Sequence, residues 1–414
     1  MWFIQAEKWE NIDDKVSSRI LRDTMFQKSD YTYTLPEALI AEEAVHPHHD
    51  ARLMVVDREN WDIQSESTFW HLDEFLGDDR VIFFNNSRVL RARIALENTP
   101  YQNTQWEKKF LLEGEIFYIK STEENTFEAL VRPGNKFKVG NIFSIGEFQI
   151  EVMGMTETGR VLKIQNSQLT EFTINNLLTT HGALPLPPYI EYSKEKEKDY
   201  QTAFALKDGS VAAPTASLHF TQELLEKLKN EKRYITLHVG LGTFKWIDTS
   251  DIREYAIHSE CIEITRKTLV DIANLKLAGK KIVAVGTTAC RTLESLPSLW
   301  KKLDKKEKDY FNANIRKYWN EVSGDVETNT WIGSLAVDSE FWTLNFETSI
   351  YITPGYVFRI VDDLITNFHL PESSLLVLVS AFVGHTHAIQ LYREAIKKQY
   401  RFYSFWDGMY IRWK

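Results

Sequence analysis

The chain has 414 residues, 43% of them hydrophobic, and a formal net charge of −9. This length predicts two or three domains with real hydrophobic cores, and the acidic balance weakly opposes nucleic-acid binding at long range. The most apolar run, Ser374–Val383, falls far short of the ~20 residues of a membrane span, and the acidic N-terminus has no signal-peptide core. Cys261 and Cys290 lack disulfide or metal-site spacing, so a membrane or secreted class is excluded and a cytoplasmic protein is expected.

The first part of the chain alternates helix and strand patterns. Residues 1–28 precede these patterns and are interpreted as an N-terminal extension. The run YTYTLPEALIAEEAV predicts a helix, ARLMVVDR a buried strand, FWHLDEFLG a short amphipathic helix, and RVIFFNNSRV a strand that runs into a polar turn. These elements open a core domain that we place at 29–93 and, after an interruption, at 171–414.

The pattern changes between residues 94 and 170. Short runs of alternating apolar and polar residues are separated there by Gly, Asn or Pro-Gly, with spacings near ten residues. Such runs are typical of antiparallel strands, so residues 94–170 are predicted to form a small β-barrel inserted into the core domain.

The pattern after residue 184 is that of an α/β core, layered with helices on both faces of the strands. YITLHVG and KKIVAVG are near-continuous apolar strands of the kind that is covered on both faces. Thr221 is expected to cap the helix that follows it, and Thr287 or Thr288 the helix after KKIVAVG. The charged segment from Ser193 to Asp199 is predicted to be a mobile loop.

Four histidines lie in runs rich in small, hydroxylated or glycine residues: His219, His238, His258 and His369. A single buried histidine is more often a hydrogen-bonded core residue. Three of these are about twenty residues apart across successive α/β elements, however, and side chains at strand ends can meet at one sheet edge, where ligands of such folds bind. We therefore expect at least two of them to share a site. The carboxylates expected to join them are Glu260, Asp407 and Asp362, the last with a turn or helix-start role as the alternative.

A pair of glycines and a histidine-rich loop resemble known ligand sites but lack some of the required residues. Gly240 and Gly242 lack the third glycine and the helix of a dinucleotide loop, so they are expected to allow close backbone approach to a ligand. The loop containing His46, His48 and His49 resembles a metal cluster, but a solvated turn is more typical of such a run, so no metal site is predicted.

Several of these runs, taken together and in order, resemble one known family. The runs are HGALPLPPYI, YQTAFA, VAAPTASLHFT, TLHVGLGTF and LITNFHLPESSLLVLVSAFVG. They resemble the S-adenosylmethionine:tRNA ribosyltransferase-isomerases of queuosine biosynthesis, from about Tyr31 to Met409. The resemblance implies an α/β core with a β-barrel insert. It also implies transfer of the ribosyl part of S-adenosylmethionine to 7-aminomethyl-7-deazaguanine at the tRNA wobble position, which gives epoxyqueuosine and releases adenine and methionine.

That chemistry sets requirements for the residues. The sulfonium acidifies the neighbouring 5′ carbon, so a general base is needed there, and a second acceptor must keep the attacking amine neutral. An arginine and an acid can pair with the methionine carboxylate and ammonium. No metal or redox cofactor is expected, because S-adenosylmethionine is a consumed substrate. The catalytic candidates are His219, His238, His258, Glu260, His369 and Asp407.

Further residues are candidates for substrate binding and RNA contact. Tyr189 follows two prolines and is expected to stack on a base, with a rigid connector as the alternative. Arg91 and Arg93 are expected to contact tRNA, since the arginine fork suits phosphates and both lie where the barrel leaves the core. The substrate-binding candidates are Arg88, Tyr189, Thr215, Ser217, Gly240, Gly242, Thr243, Asp362, Asn367 and Trp406. The partners expected are tRNA carrying the modified wobble base and S-adenosylmethionine, with no membrane and no obligatory protein partner.

The chain departs from the family pattern at residues 303–346, which are longer than that pattern predicts, and also inside the motifs. Ser217 and Trp406 each stand where the family has glycine, and Asn86 stands where it has aspartate. These departures leave two alternatives open: a divergent paralogue that acts on another nucleoside, or an RNA-binding protein without catalysis. Retention of all four histidines favours the enzyme.

Overall fold

The computed structural model describes residues 25–413 apart from 61, 104–108, 158, 166–172, 188–189, 191, 241, 243–245, 325, 327–335, 339–342, 404 and 406. Its contacts divide the chain into two compact units. The first comprises Met1–Asn85, Thr215–Leu237 and Gly242–Lys414, and the second Asn86–Pro214 and His238–Leu241. The inserted-domain boundaries at 94 and 170 stay a prediction, and the expected extension, 1–28, lies almost wholly outside the described residues.

The strands are numbered in chain order over the described residues. They are β1 (Arg52–Asp57), β2 (Ile63–Thr68), β3 (Arg80–Asn85), β4 (Ser87–Val89), β5 (Arg93–Asn103), β6 (Lys109–Glu123), β7 (Thr126–Arg132), β8 (Asn141–Ile145), β9 (Phe148–Met155), β10 (Arg160–Ile164), β11 (Gly182–Ala183), β12 (Lys207–Ser210), β13 (Glu231–His238), β14 (Glu260–Thr265), β15 (Lys281–Val285), β16 (Ala336–Asp338), β17 (Thr343–Thr348), β18 (Asp363–Asn367) and β19 (Gly408–Arg412).

The α-helices are fewer and lie mostly in the first unit. They are α1 (Ile174–His181), α2 (Lys194–Asp199), α3 (Gln222–Lys227), α4 (Arg266–Leu277), α5 (Gly286–Lys302), α6 (Lys305–Asp309), α7 (Ala313–Ser323), α8 (Ser374–Val383) and α9 (His385–Lys397). Short 3₁₀-helices occur at Lys28–Tyr31, Glu37–Leu39, His48–Asp50, Phe69–Glu74, Gly134–Lys136, Thr215–Ser217 and Ile252–Glu254.

The first unit is organised by one mixed sheet. Its strand order is β16-β17-β14-β13-β3-β15-β18-β19-β1-β2. The neighbours β13, β3, β15 and β18 run parallel, and their aliphatic residues are buried as expected for strands covered on both faces, while Tyr234 in β13 is exposed. The parallel order brings the carboxyl ends of β3, β15 and β18 to the same edge, at Asn85, Val285 and Asn367. This mixed sheet with its helices confirms the predicted α/β core.

Helix α5 is the core helix of this unit, because every residue from Gly286 to Trp300 is buried. It follows β15 directly, and Gly286 makes the tight turn with a φ of +85°, a left-handed conformation that favours glycine. The helix starts one or two residues before the threonines expected to cap it, and its N-cap, Val285, supplies no side-chain hydrogen bond. Strand β15 extends to the turn, which moves Thr287 and Thr288 into the first helical turn.

The helix predicted in YTYTLPEALIAEEAV is wrong. The segment contains only the 3₁₀-helix Glu37–Leu39, and then pairs with a distant backbone. Ala41 donates its N–H to the carbonyl of Phe402 at 3.2 Å, and Phe402 donates to the carbonyl of Leu39 at 2.8 Å. These tertiary backbone hydrogen bonds outweigh a weak local helix propensity.

The second unit contains the predicted antiparallel barrel. Strands β5, β6, β7, β10, β9 and β8 pair in that order, and β8 pairs back with β5, which closes six strands. Burial alternates along β9, where Phe148, Ile150 and Val152 face the core. The two-residue strand β11 adds to β5 from outside. The barrel confirms the interpretation of the alternating runs.

The helices differ from membrane spans in length and composition. Among the described helices no single one is both long and apolar enough to cross a membrane, and only α8 and α9 together, bent by 112°, reach that length and composition.

We predict that Gly114→Ala destabilises the barrel by about 1–3 kcal/mol, because a methyl group in β6 would lie 2.0 Å from the carbonyl oxygen of Arg132. The matched control is Gly154→Ala in β9, whose methyl would meet its nearest atom, in Val161, at 4.0 Å. Urea unfolding followed by circular dichroism measures both. Equal stability of the two variants would contradict the close approach at Gly114.

Candidate active site

His219 is held at the carboxyl end of β18. Its ring is buried and stacks on Phe69, with centroids 4.1 Å apart and planes inclined by 15°. Its Nε2 lies 3.2 Å from Oδ1 of Asn367, the last residue of β18. Burial lowers the pKa of His219 to about 3, so the ring is neutral at pH 7. A neutral ring in this position fixes the orientation of the Asn367 amide.

Two histidines of the loop that contains His46, His48 and His49 contact the residues on either side of His219. In the 3₁₀-helix His48–Asp50, the Nδ1 of His48 lies 3.1 Å from the carbonyl oxygen of Leu218. The Nδ1 of His49 lies 2.7 Å from the hydroxyl of Thr221, which also caps α3 as predicted. Both histidines therefore hold the two sides of the His219 segment.

Three buried polar atoms near this point have no hydrogen-bond partner among the described residues. They are the hydroxyls of Ser217 and Thr288 and the Nδ2 of Asn367. The 3₁₀-helix that runs from Thr215 to Ser217 packs against both α5 and β18, and Thr215 itself is half-buried. Buried polar groups in native proteins nearly always have partners, so a cluster of exceptions indicates a place where a ligand binds.

His369 lies just beyond β18 and is held by three contacts. Its Nε2 is 2.9 Å from the hydroxyl of Thr366, its backbone N–H donates to the Tyr392 hydroxyl at 3.0 Å, and its carbonyl accepts from the Tyr33 hydroxyl. Burial lowers the pKa of His369 to about 3. The structure thus places two of the four predicted histidines, His219 and His369, at the end of one strand.

His258, Glu260 and Arg291 form a second group in the first unit. The Nε2 of His258 lies 3.4 Å from Oε1 of Glu260, and the other carboxylate oxygen pairs with the guanidinium of Arg291 on α5. Glu260 is fully buried, and Arg291 also donates to the carbonyl of Ile350 at 3.3 Å. Sequence reasoning missed Arg291, although an arginine among the small and apolar residues of TTACRTL was a usable signal.

Gly242 is required by the position of His258. A Cβ at residue 242 would lie 2.1 Å from the imidazole of His258. The sequence predicts close approach of Gly242 to a ligand, whereas the close approach in the structure is to the His258 side chain. A small cavity of about 10 Å³ adjoins this group. Among its lining residues are His258, Arg291, Tyr351 and Ser374.

His238 is held within the second unit by serine hydroxyls. Its Nδ1 is 2.8 Å from Oγ of Ser87, which in turn lies 2.6 Å from Oγ of Ser210. Both serines are fully buried, and a Cβ on Gly209 would lie 2.4 Å from the His238 ring. At Gly240 a Cβ would meet no described atom within 4 Å. The serines were not singled out in the sequence because each is a common residue in a polar turn.

Arg88 and Arg93 contact acidic residues of the second unit. Arg88 donates to the carbonyl of Ala205 at 2.9 Å and lies 3.6 Å from the Asp208 carboxylate. Arg93 donates to Glu115 at 2.9 Å. A phosphate or carboxylate ligand at either arginine would have to compete with these surface pairs.

Arg91 is held more firmly, by a segment whose mobile-loop prediction is wrong. Residues 194–199 form α2, capped by the side chain of Ser193. Glu197 on α2 is buried and accepts from the N–H of Leu184 at 2.9 Å, the Tyr192 hydroxyl at 2.8 Å and Arg91 at 2.9 Å. The Ser193 hydroxyl and the buried Glu197 carboxylate therefore order a segment whose many charged residues predict an exposed loop.

Asp407 is engaged with the backbone. One carboxylate oxygen accepts from the N–H of Arg52 and the other from the N–H of Arg401, both at 2.8 Å. It therefore fixes the start of β1 against the segment before β19.

Asp362 lies at the other end of β18 from Asn367. It pairs with Lys276 on α4 at 2.8 Å and accepts from the N–H of Ile282 at 2.7 Å. Asn367 lies five positions further along the extended chain, roughly 16 Å away at the usual rise of a strand. The structure does not bring Asp362 to the His219 group. Three other candidates, Tyr189, Thr243 and Trp406, lie outside the described residues.

We predict a loss of stability below about pH 6.5 from the rings of His219 and His369. The pKa of His219 and of His369 is about 3 when folded, against about 6.5 when unfolded, so only the unfolded chain gains these protons between pH 6.5 and 3. Each ring should lower the free energy of unfolding by about 1.4 kcal/mol per pH unit in that range. His369→Gln should remove one such contribution, as measured by urea unfolding from pH 7 to 5.

The matched control is Tyr392→Phe. It removes the hydroxyl that accepts from the backbone of His369 but keeps the imidazole. It should lower stability at every pH and retain the pH slope. A wild-type slope that His369→Gln leaves unchanged would contradict neutral burial.

Comparisons with known proteins give the family to which the chain belongs. The family model described as "Queuosine biosynthesis protein" matches residues 28–411. A curated relative from Clostridioides difficile (strain 630), named S-adenosylmethionine:tRNA ribosyltransferase-isomerase, is 37% identical over 389 residues, which are 92% of this chain and 99% of that protein. A crystal structure of S-adenosylmethionine tRNA ribosyltransferase from Thermotoga maritima is 29% identical, with a TM-score of 0.46 over 92% of this chain and 100% of that one. The chain belongs to the queuosine biosynthesis family of S-adenosylmethionine:tRNA ribosyltransferase-isomerases.

Proposed function

We propose that the protein moves the ribosyl part of S-adenosylmethionine to 7-aminomethyl-7-deazaguanine at the tRNA wobble position, giving epoxyqueuosine and releasing adenine and methionine. Its partners are then S-adenosylmethionine and tRNA that carries the modified base, and its place is the cytoplasm. The supporting observation is the His258–Glu260–Arg291 arrangement, in which Glu260 and Arg291 are buried, in a chain that matches its curated relative nearly end to end. The chemistry needs no metal or redox cofactor, because the sulfonium of the consumed substrate already activates the ribose.

His258 is the best placed of the histidines to act as the general base. The sulfonium makes the 5′ protons acidic, and an imidazole near neutral pH can take one of them. The Glu260 carboxylate, 3.4 Å away, would stabilise the imidazolium that forms, as a carboxylate does for a catalytic histidine. Arg291 holds that carboxylate in place and offsets its burial.

The other histidines suit different roles. Because the pKa of His219 and His369 is about 3, each is too weak a base for proton abstraction at pH 7, and we assign them to orientation of Asn367 and Thr366. His238, whose Nδ1 lies 2.8 Å from Oγ of Ser87, stays a catalytic candidate without an assigned step. Arg88 remains a candidate partner for the substrate.

One observation favours a second function, action on another nucleoside. Ser217 stands where the resembled family has glycine, and its hydroxyl is fully buried without a partner among the described residues. A hydroxyl there changes which ligand atoms are accommodated. Adenine release from S-adenosylmethionine, measured with tRNA that carries or lacks 7-aminomethyl-7-deazaguanine, separates the two functions. Release that does not depend on the modified base favours the second.

We predict that His258→Gln lowers kcat for adenine release by about 10²–10⁴-fold, the usual contribution of a general base, with little change in S-adenosylmethionine affinity. Single-turnover chromatography of adenine and equilibrium dialysis measure the two effects. The control is His71→Gln, an exposed histidine paired with Glu74, which should keep wild-type activity. A His258→Gln enzyme with wild-type kcat would reject the assignment.

We predict that Arg91→Gln/Arg93→Gln weakens tRNA binding and lowers the slope of log affinity against log salt by about 0.7–0.9 for each phosphate that is no longer neutralised. S-adenosylmethionine affinity should stay nearly constant. The control is Lys120→Gln/Lys138→Gln, which removes the same charge from exposed positions of the barrel unit. Equal effects of the two double variants would indicate a nonspecific charge effect and contradict a local interface.

A further inference from the structure

We propose that the N-terminus of α5, together with Ser217, Thr288 and Asn367, binds the carboxylate of the methionine part of S-adenosylmethionine. The inference rests on the proposed function, since it names how that substrate is held. The sequence motifs did not indicate that the methionine part of the substrate binds at this helix terminus.

The helix terminus is suited to an anion. Helix α5 is 17 residues long, and its N-cap, Val285, provides no side-chain acceptor for the first-turn N–H groups. Those groups carry a partial positive charge that favours a carboxylate. The sharp turn at Gly286, with its φ of +85°, brings this terminus directly to the edge of the sheet.

The unpartnered side chains give an independent indication of a ligand. The hydroxyl of Ser217 is fully buried, Thr288 is 8% exposed and Asn367 is 2% exposed. None of the three atoms concerned has a hydrogen-bond partner among the described residues. All three can donate, which is what a carboxylate requires.

The topology brings these donors to one place. Val285 lies opposite Ile365 in the parallel pairing of β15 and β18, so the first turn of α5 lies beside the end of β18, where Asn367 is. The 3₁₀-helix that contains Ser217 packs against both elements. A Cβ on Gly286 would lie 3.6 Å from the Cβ of Ala216 and 3.7 Å from the Thr288 hydroxyl.

The amide of Asn367 is turned so that it donates. Its Oδ1 lies 3.2 Å from Nε2 of His219, and a neutral imidazole can supply that proton, which leaves Nδ2 for the ligand. The burial of all three side chains favours a small carboxylate over a phosphate of the RNA backbone. The donors proposed for the carboxylate are therefore the first-turn N–H groups of α5 and these three side chains.

The test compares two ligands that differ only in the carboxylate. S-adenosylmethionine and decarboxylated S-adenosylmethionine are titrated by calorimetry into the full-length wild type, Thr288→Val and Ser217→Ala. Each variant should bind S-adenosylmethionine about tenfold to a hundredfold more weakly, as expected when a hydrogen bond to a charged group is removed. Neither variant should bind the decarboxylated ligand more than about twofold more weakly, a factor within the scatter of such measurements.

The control is Thr292→Val, the same change one turn along α5, where the hydroxyl donates to the Thr288 carbonyl at 2.9 Å. It should bind both ligands like the wild type.

Equal weakening for the two ligands, or wild-type affinities in both Thr288→Val and Ser217→Ala, would overturn the carboxylate site. Weakened tRNA binding with unchanged S-adenosylmethionine binding would overturn it as well. If the carboxylate site is overturned but the wild type still binds S-adenosylmethionine and releases adenine, the proposed function stands. A wild type that binds neither ligand would overturn both the carboxylate site and the proposed function. Ser217 is on a separate element, so it tests the site even where Thr288→Val does not fold.

Discussion

The burial of α5 is the constraint on which the first unit depends. A helix buried from Gly286 to Trp300 can carry charged residues only if the surrounding chain neutralises them, because an unpaired buried charge costs several kcal/mol. Glu294 meets this requirement by accepting from the backbone N–H groups of Arg359, Ile360 and Val361 and from the Tyr356 hydroxyl. Burial still raises the pKa of Glu294, and the hydrogen bonds oppose that shift.

Arg291 meets the same requirement on the neighbouring turn, and there its partner also contacts the histidine proposed as the general base. Its partner, Glu260, is also the partner of His258. The charge that the helix must neutralise therefore positions a carboxylate beside an imidazole. Meanwhile Thr288, one turn before Arg291 on the same face, retains an unpartnered hydroxyl among the described residues. One buried helix thus connects the proposed proton-transfer group to the proposed carboxylate site.

The sequence predicts the large features of this fold because their patterns are local. Alternation marks the barrel strands, and continuous apolar runs mark β13 and β15. The Ser193–Asp199 segment was misinterpreted because the feature that orders it is Glu197, whose partners Leu184, Tyr192 and Arg91 lie elsewhere in the chain. The helix predicted near Glu37 fails for a similar reason, since pairing with Phe402 cannot be seen in a short window.

The candidate site shows the same division. The motifs located His219, His369, His258 and Glu260, and the structure arranges them as two separate groups. The sequence could not assign a role to each carboxylate, because the role depends on the partners. The Asp407 carboxylate accepts from two backbone N–H groups, whereas the Glu260 carboxylate contacts an arginine and a histidine. A carboxylate in a motif does not reveal whether it faces the backbone or a reacting group.

The close approach of Gly242 to His258 has a consequence for how this family can diverge. Because a side chain at residue 242 would occupy the space of the imidazole, we expect positions 242 and 258 to change together. A lineage that keeps the histidine must keep the glycine, and one that loses the histidine is released from it. Alanine or serine at position 242 in a relative should therefore coincide with a smaller residue at position 258, and such a pair would mark a branch without the group proposed here as the general base.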